Sequence, residues 1–182
     1  MNPLKSKLPL GIFLSTILLA GCSQTSTKSP DVESGIRQSL DQSGYKDVSV
    51  SQDRDKGVVT LTGHVPAEGD KLQAETIAKS LAAGQVVADQ IAVIPPGAES
   101  DAKAINSDLD KGIEKNVDAA LIQNNIKKDI HYDVKNGVVT LTGSVNSQIR
   151  RTQVEKIAAG VPNVQQVVNE IQVKNQKASS TN

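Results

Sequence analysis

Aromatic side chains are scarce in this 182-residue chain, which has no tryptophan, one phenylalanine and two tyrosines. Proteins that bind single-stranded nucleic acid without sequence preference stack the bases on aromatic side chains, and the chain lacks such a platform. An excess of positive charge is missing as well, because twenty basic residues balance twenty acidic ones. Without that excess the chain has no general attraction for a phosphate backbone. We therefore expect no nucleic-acid partner.

Residues that carry catalysis or hold metal ions are also few. His64 and His131 are the two histidines, and neither has a cysteine or a second histidine at metal-ligand spacing. His131 lies two residues before Asp133 on one side of a predicted strand, and we interpret these two residues as an exposed pair. The chain contains no glycine-rich phosphate loop. We therefore predict a protein that is not an enzyme and has no cofactor and no metal site.

The single cysteine, Cys22, allows no intramolecular disulfide and follows an N-terminal leader. Lys5 and Lys7 precede a mostly apolar run at 8–18, which is shorter than the roughly 20 residues of a membrane-spanning helix. We interpret residues 1–21 as a signal peptide. The leader ends in Leu-Ala-Gly, and with the cysteine this sequence resembles the lipobox of bacterial lipoproteins.

The lipobox resemblance implies that Cys22 becomes the first mature residue and carries three acyl chains. Ser23 stands where an aspartate would favour retention in the inner membrane, so the resemblance implies the periplasmic face of the outer membrane. Each buried methylene contributes about 0.8 kcal/mol, and three chains would therefore anchor the protein permanently. Residues 22–28 would form a flexible tether that reaches about 13–15 Å.

The heptapeptide Gly-Val-Val-Thr-Leu-Thr-Gly occurs at 57–63 and again at 137–143. Flanking apolar residues match at the same offset of 80, as at Ile77 and Ile157 or Ile91 and Ile171. A period this long exceeds that of solenoid repeats and indicates tandem domains. We place the segments as follows: domain 1 at 29–94, a linker at 95–107, domain 2 at 108–174 and a disordered tail at 175–182.

Each repeat shows the same order of predicted elements. A first helix has apolar residues four apart, with Ser29 and Pro30 as its start and Gly44 as its stop in repeat one. A hairpin follows, indicated by Asn136-Gly137 between alternating runs, and four glycines serve as structural turn residues: Gly57, Gly63, Gly137 and Gly143. A second helix begins at Pro66 or is capped by Ser147. The residues expected to face the sheet are Leu72, Ile77, Leu81, Val154, Ile157 and Val161.

A last strand completes each repeat, and we predict an α+β protein with two tandem α-β-β-α-β domains. Each domain has a three-stranded mixed sheet with two helices on one face, and we expect the other, threonine-rich face to be wet. Between the domains, apolar residues recur every three or four positions from Ala102 to Leu121. This pattern favours one helix over 100–123, although a new start at Ser107 is an alternative, and Gly112 within the helix would cost about 1 kcal/mol.

These residues together resemble the BON domain family, found singly or in tandem in exported bacterial proteins. The resemblance rests on the shared heptapeptide, the Ile-Ala pair of the second helix and the pattern Gly160-Val161…Val164…Val167…Asn169…Ile171…Val173. It implies a module that associates with phospholipid membranes of the cell envelope. It also implies potassium binding as a remote alternative, for which the sequence offers no ligand cluster.

Charge differs between the repeats: residues 31–93 carry ten acids and six bases, whereas residues 109–174 carry seven acids and nine bases. The antiparallel hairpin brings the start of its first strand and the end of its second strand to one end of the sheet. In domain 2 that end holds the candidate membrane-binding residues Lys127, Lys128, Arg150 and Arg151. Each cation would contribute about 1 kcal/mol near an anionic surface. Ordinary solubilising residues are the alternative interpretation.

The leading hypothesis is thus a non-enzymatic outer-membrane lipoprotein that contacts anionic phospholipid headgroups and supports envelope integrity, for example under osmotic stress. A second hypothesis is an adaptor that docks an envelope protein partner on an open sheet face, near Thr60 or Thr140, or on a strand edge.

Overall fold

The computed structural model describes residues 28–174, and they form two units with the same order of elements. Domain 1 contains α1 (Glu33–Gln42), β1 (Val48–Asp53), β2 (Val58–Val65), α2 (Glu68–Leu81), β3 (Val86–Asp89) and β4 (Ala92–Val93). Domain 2 contains α3 (Glu99–Gln123), β5 (Ile130–Lys135), β6 (Val138–Val145), α4 (Gln148–Ala159), β7 (Gln166–Asn169) and β8 (Gln172–Val173). The predicted α+β class is confirmed, with four helices and two mixed sheets.

The central strand of each sheet is the one that carries the heptapeptide. β2 pairs antiparallel with β1 and parallel with both β3 and β4, and β6 pairs in the same way with β5, β7 and β8. The predicted last strand is therefore interrupted. At the break, the side chain of Asp89 accepts a hydrogen bond from the Ile91 amide at 3.1 Å, and Asn169 accepts one from the Ile171 amide at 3.2 Å.

The helices cover one face of each sheet and bury a separate aliphatic core there. Two residues predicted to face the sheet do not, because Leu72 and Leu81 are 56% and 40% exposed. The contact face of α2 instead carries Ala74 and Ala78, which are fully buried. These short side chains let the helix approach the sheet closely, and the leucines lie outside the contact.

The helix starts follow the predictions in two cases out of four, because α3 begins at Glu99, one residue before the predicted start. Ser147 caps α4, and its hydroxyl accepts a hydrogen bond from the Arg150 amide at 3.2 Å. Ser29 does not cap α1, because its backbone pairs with Arg54 at the hairpin turn, and the helix begins at Glu33. The second helix of domain 1 begins at Glu68, two residues after the predicted Pro66.

The paired glycines of the heptapeptide have two different roles. Gly57 and Gly137 lie in the hairpin turns with positive φ, at +69° and +76°. Gly63 and Gly143 lie within the second hairpin strands, with φ of +107° and +115°. A Cβ atom at Gly143 would overlap the carbonyl oxygen of Asp129. These strand glycines are therefore required by a close approach of two backbones.

Helix α3 is the longer of the two alternatives considered for the region between the domains. Its 25 residues span about 37 Å at 1.5 Å per residue, and Ser107 lies within it. The part before domain 2 leaves Ile105 and Leu109 60% and 51% exposed. Within residues 28–174, no helix combines the length and the hydropathy that a membrane crossing requires.

The two domains pack against each other through the sheet faces that carry no helices. Val58, Ala88, Val138 and Val168 form a buried cluster between them. The expectation of a wet second face is therefore wrong at this end of each sheet. Thr60 and Thr140, the residues considered for an adaptor surface, are half-buried beside the cluster.

Two of the polar contacts between the domains are reciprocal under the offset of 80. The ammonium of Lys56 lies 2.6 Å from a carboxylate oxygen of Glu170. The side-chain amide of Asn136 donates to the backbone carbonyl oxygen of Gln90 at 2.7 Å. Asn136 is the repeat counterpart of Lys56, and Glu170 is that of Gln90. This reciprocity is what an approximate two-fold axis between the domains produces.

Candidate functional site

The four candidate cations of domain 2 come from the loop between α3 and β5 and from the first turn of α4. Ile130 pairs with Gly143 in the hairpin, so both segments reach the same end of the sheet. The structure nevertheless brings only two of the four cations together on the surface. Lys128 and Arg150 line one depression of about 400 Å³ at this end. Lys127 and Arg151 do not line it and contact other residues of domain 2.

Lys127 is occupied within domain 2. Its ammonium forms an ion pair with Asp118 and lies 3.3 Å from the hydroxyl of Tyr132, which itself donates to Asp118 at 2.7 Å. The ammonium also lies 5.2 Å from the centre of the tyrosine ring, within cation–π range. Burial raises the pKa of the Tyr132 hydroxyl. Lys127 therefore neutralises a carboxylate of its own domain.

Arg151 braces α4 against the end of β7. Its guanidinium donates to the carbonyl oxygen of Asn169 at 2.6 Å, and the Asn169 amide donates back to the Arg151 carbonyl at 3.3 Å. The same amide donates to a carboxylate oxygen of Glu155 at 2.9 Å. The Nε of Arg151 is buried and has no partner among residues 28–174. This arginine is therefore a structural residue.

Arg150 is held in place but keeps its charge near solvent. Its guanidinium donates to the carbonyl oxygen of Asn125 at 3.0 Å and to the side chain of Gln153 at 3.4 Å. Both acceptors are neutral, so neither cancels its charge. Lys128 is exposed, and in the described part of the chain neither residue forms an ion pair. Asp129 also lines the depression.

The corresponding end of domain 1 has a different character. Lys71, the counterpart of Arg151, is only 8% exposed and donates across the domain interface to the Gln165 side chain at 3.2 Å. Asp89, the counterpart of Asn169, is 6% exposed. Burial raises the pKa of the Asp89 carboxyl, and this effect outweighs the lowering by the hydrogen bond from the Ile91 backbone N–H and by the Lys71 charge. These residues serve the contact between the domains.

A residue absent from the sequence-based site is Ile149, in the first turn of α4. Its side chain is 82% exposed, the highest value among the exposed large apolar residues of the described chain. The sequence held a signal for it, because the core residues of α4, Val154 and Ala158, place Ile149 on the opposite side of the helix. Charge alone does not reveal this residue, because the sequence signal for it is apolar periodicity along α4.

The remaining candidates lie elsewhere. His64 and His131 are both exposed, and so is Asp133. Among residues 28–174, no three histidine, cysteine, aspartate or glutamate residues cluster in a way that could hold a metal ion. Cys22 lies outside the described residues. The outer strand edges belong to β1 and β5, and Arg37 covers part of the first by donating to the Val50 carbonyl at 2.7 Å.

Comparison with known proteins gives one family. A sequence profile described as the BON domain matches residues 29–95 and 109–175. Osmotically-inducible protein Y of Escherichia coli (strain K12) is 30% identical over 137 residues, which cover 74% of this chain and 67% of that protein.

Two solved structures of CdsD, a structural protein of the type III secretion system of Chlamydia trachomatis, also overlap with the chain. The CdsD C-terminal domain is 15% identical, with 82% of this chain and 100% of that chain covered and a TM-score of 0.35. The second structure is 16% identical, with 76% and 90% covered and the same TM-score of 0.35. These overlaps are too loose to carry an argument.

Proposed function

The chain belongs to the BON domain family, and from that premise we propose that it is a non-enzymatic lipoprotein of the bacterial envelope. In this proposal Cys22 carries the lipid that anchors the protein on the periplasmic face of the outer membrane. Domain 2 contacts anionic phospholipid headgroups and thereby supports the envelope under osmotic stress. The Leu-Ala-Gly-Cys sequence supports the anchor. Similarity to a protein named osmotically inducible supports the stress role.

The observation that carries the membrane contact is the pairing of Lys128 and Arg150 in one surface depression. Neither charge is neutralised by an ion pair within residues 28–174. Each cation near an anionic leaflet contributes about 1 kcal/mol. Two cations give weak binding by themselves. A lipid anchor would hold the domain at high effective concentration near the bilayer, so weak binding would suffice.

Vesicle flotation tests this contact. The chain from Ser23 onward, without lipid, should float with vesicles that contain phosphatidylglycerol and should do so less at high salt. Replacing both cations, K128Q/R150Q, should weaken binding about 30-fold, because about 2 kcal/mol is lost. The control K115Q/K135Q removes the same charge from exposed positions of domain 2, and Lys135 lies at the opposite end of the hairpin. Equal binding by both double variants, or equal binding to neutral vesicles, would refute the contact.

The lipid anchor has a separate test. Cells that express the full chain are fed an alkyne fatty acid, and the label is expected on the wild-type protein and not on C22S. The labelled protein should fractionate with the outer membrane. An unlabelled wild-type protein would remove the anchor from the proposal without affecting the vesicle result.

An adaptor role is the second candidate, favoured by the outer edge of β5. Arg37, which follows the core residue Ile36 in α1, covers the β1 edge. Asp118 follows the matching core residue Val117 in α3, and it accepts from Tyr132 instead. No side chain of the described residues donates to the β5 backbone. An extended segment of an envelope protein could therefore add a strand there. Crosslinking from position 133 in living cells should capture a stoichiometric partner, and its absence would count against this role.

A further inference from the structure

The first turn of α4 carries an apolar side chain that the fold does not use. Ile149 is 82% exposed and lies directly between Gln148, the first residue of the helix, and Arg150. The core of domain 2 takes Val154 and Ala158 from this helix. Exposing a large aliphatic side chain to water forfeits the stabilisation that its burial would give. Ile149 is the most exposed large apolar side chain of the described residues, so it is available to a surface outside the domain.

The second repeat differs from the first at this place. Gly69 and Asp70 occupy the positions of Ile149 and Arg150 in domain 1, and Thr76 occupies that of Lys156. Both domains nevertheless form the same helix at the same place in the fold. The fold thus does not require an isoleucine or the two cations there. These residues distinguish domain 2 from domain 1.

The surface around Ile149 combines apolar groups with cations. Ile149 and Ile157 line a shallow depression of about 580 Å³, and the other residues of its lining are Asn124, Gln148, Thr152, Gln153 and Lys156. None of these is acidic. Lys156 is exposed and, like Lys128, forms no ion pair within residues 28–174. Arg150 lines the depression of Lys128 and donates at 3.4 Å to the side chain of Gln153, which lines the depression of Ile149.

We propose that Ile149 is a membrane anchor residue, which inserts between the lipids of an anionic bilayer while Lys128, Arg150 and Lys156 contact phosphate groups. Interfacial binding of this kind combines buried apolar area with electrostatic attraction to anionic lipids. The long stems of the basic side chains follow the apolar surface while their charges reach the headgroups. The inference rests on the proposed membrane contact and adds a point of insertion to it.

Charge complementarity favours lipid over a protein partner. Lys156 lines the depression of Ile149, Arg150 follows Ile149 in the chain, and Lys128 lines the adjoining depression with Arg150 and Asp129. Asp129 and Glu155 are the acids nearest to these cations along the chain. The carboxylate of Glu155 accepts a hydrogen bond from Asn169, which directs it away from this surface. A headgroup layer supplies phosphates on every side of an inserted side chain, as this arrangement requires.

The lack of tryptophan in the chain makes insertion directly measurable. I149W introduces a single tryptophan at the proposed anchor, and I122W introduces one at a site of α3 that is 54% exposed. Each variant of the chain from Ser23 onward is mixed with phosphatidylglycerol vesicles that have brominated acyl chains. We expect a blue shift and quenching for Trp at 149 and a water-like spectrum for Trp at 122.

Loss of binding is measured in parallel. I149S should weaken partitioning onto phosphatidylglycerol vesicles about tenfold, because burial of one large aliphatic side chain is worth at least that factor. I122S should bind as the wild type does, and thermal unfolding verifies that both variants fold. Flotation with an unquenched Trp at 149, or equal binding of I149S and I122S, would overturn the anchor and leave the membrane contact standing. Failure of every variant to float would overturn both.

Discussion

Gln166 is expected to hold the two domains in their relative position. This residue begins β7, and its side chain reaches across to the backbone of β3. Its amide nitrogen donates to the carbonyl oxygen of Val87 at 2.7 Å, and its amide oxygen accepts from the backbone N–H of Asp89 at 3.0 Å. One side chain thus satisfies a donor and an acceptor on the edge of the other sheet. Q166A removes both hydrogen bonds.

The size of the effect follows from these two contacts. A hydrogen bond contributes about 0.5–1.5 kcal/mol net to stability, and a group left without a partner in a partly buried place loses more. We therefore expect Q166A to weaken the contact between the domains by about 2 kcal/mol. The apolar cluster of Val58, Ala88, Val138 and Val168 remains, so each domain should still fold.

Denaturant unfolding followed by two probes can measure this loss. Tyr45 reports on domain 1 and Tyr132 on domain 2, and both domains contain one tyrosine only. In the wild type the two transitions should coincide or lie close together, because each domain stabilises the other. In Q166A they should separate, with the less stable domain unfolding earlier. Q172A is the control, since Gln172 is exposed in β8 and its side chain forms no hydrogen bond within residues 28–174. Free energies of unfolding that agree within about 0.5 kcal/mol for Q166A and Q172A, the scale of ordinary surface substitutions, would contradict this role of Gln166.

Further expected outcomes concern backbone geometry and charge. G143A should destabilise domain 2 by more than about 1 kcal/mol in urea, because φ is +115° and a Cβ atom would overlap Asp129. G112A, within α3 and open to solvent, should stabilise by up to about 1 kcal/mol, and a loss there would contradict the helix. For D89N, the raised pKa of Asp89 means that its carboxyl destabilises the fold as pH rises through the range between its unfolded and folded pKa values. D89N places at this position the same side chain that Asn169 provides in domain 2. The melting temperature of D89N relative to the wild type should rise from acidic to neutral pH, and a difference in melting temperature that does not change with pH would contradict the raised pKa.

Patterns that repeat along the chain predicted the elements well, because periodicity reflects which side of an element meets the core. The hairpins, the long helix and the Ser147 cap follow from local chemistry. Leu72 and Leu81 were assigned to the core of α2 by hydropathy alone, whereas Ala74 and Ala78 form the contact. Hydropathy ranks leucine above alanine, but the distance between helix and sheet decides which one fits.

The position of the four candidate cations was predictable from the sequence, but their side-chain contacts were not. Four cations at one end of a sheet were predicted from topology, and the topology is as expected. Lys127 and Arg151 nevertheless turn to Asp118 and Asn169, residues that are distant in sequence. The contact between the domains was not predicted from the sequence either. Val58 and Val138 alternate with core residues along their strands, and the sequence shows no element that would cover the sheet face on which they lie. Contacts of this kind depend on which surfaces meet, and a single sequence does not encode them in a local pattern.

The reciprocal contacts between the repeats bear on how such a protein arises. A patch that fits its own duplicate is one through which two separate copies of a single-domain precursor would associate as a symmetric pair. Fusion of the two copies makes that association independent of protein concentration, because the partner is always attached. Once joined, the halves need not remain alike. Lys56 opposite Glu170 and Asn136 opposite Gln90 already depart from symmetry. The ends of the molecule that lie far from the contact between the domains can diverge without affecting it.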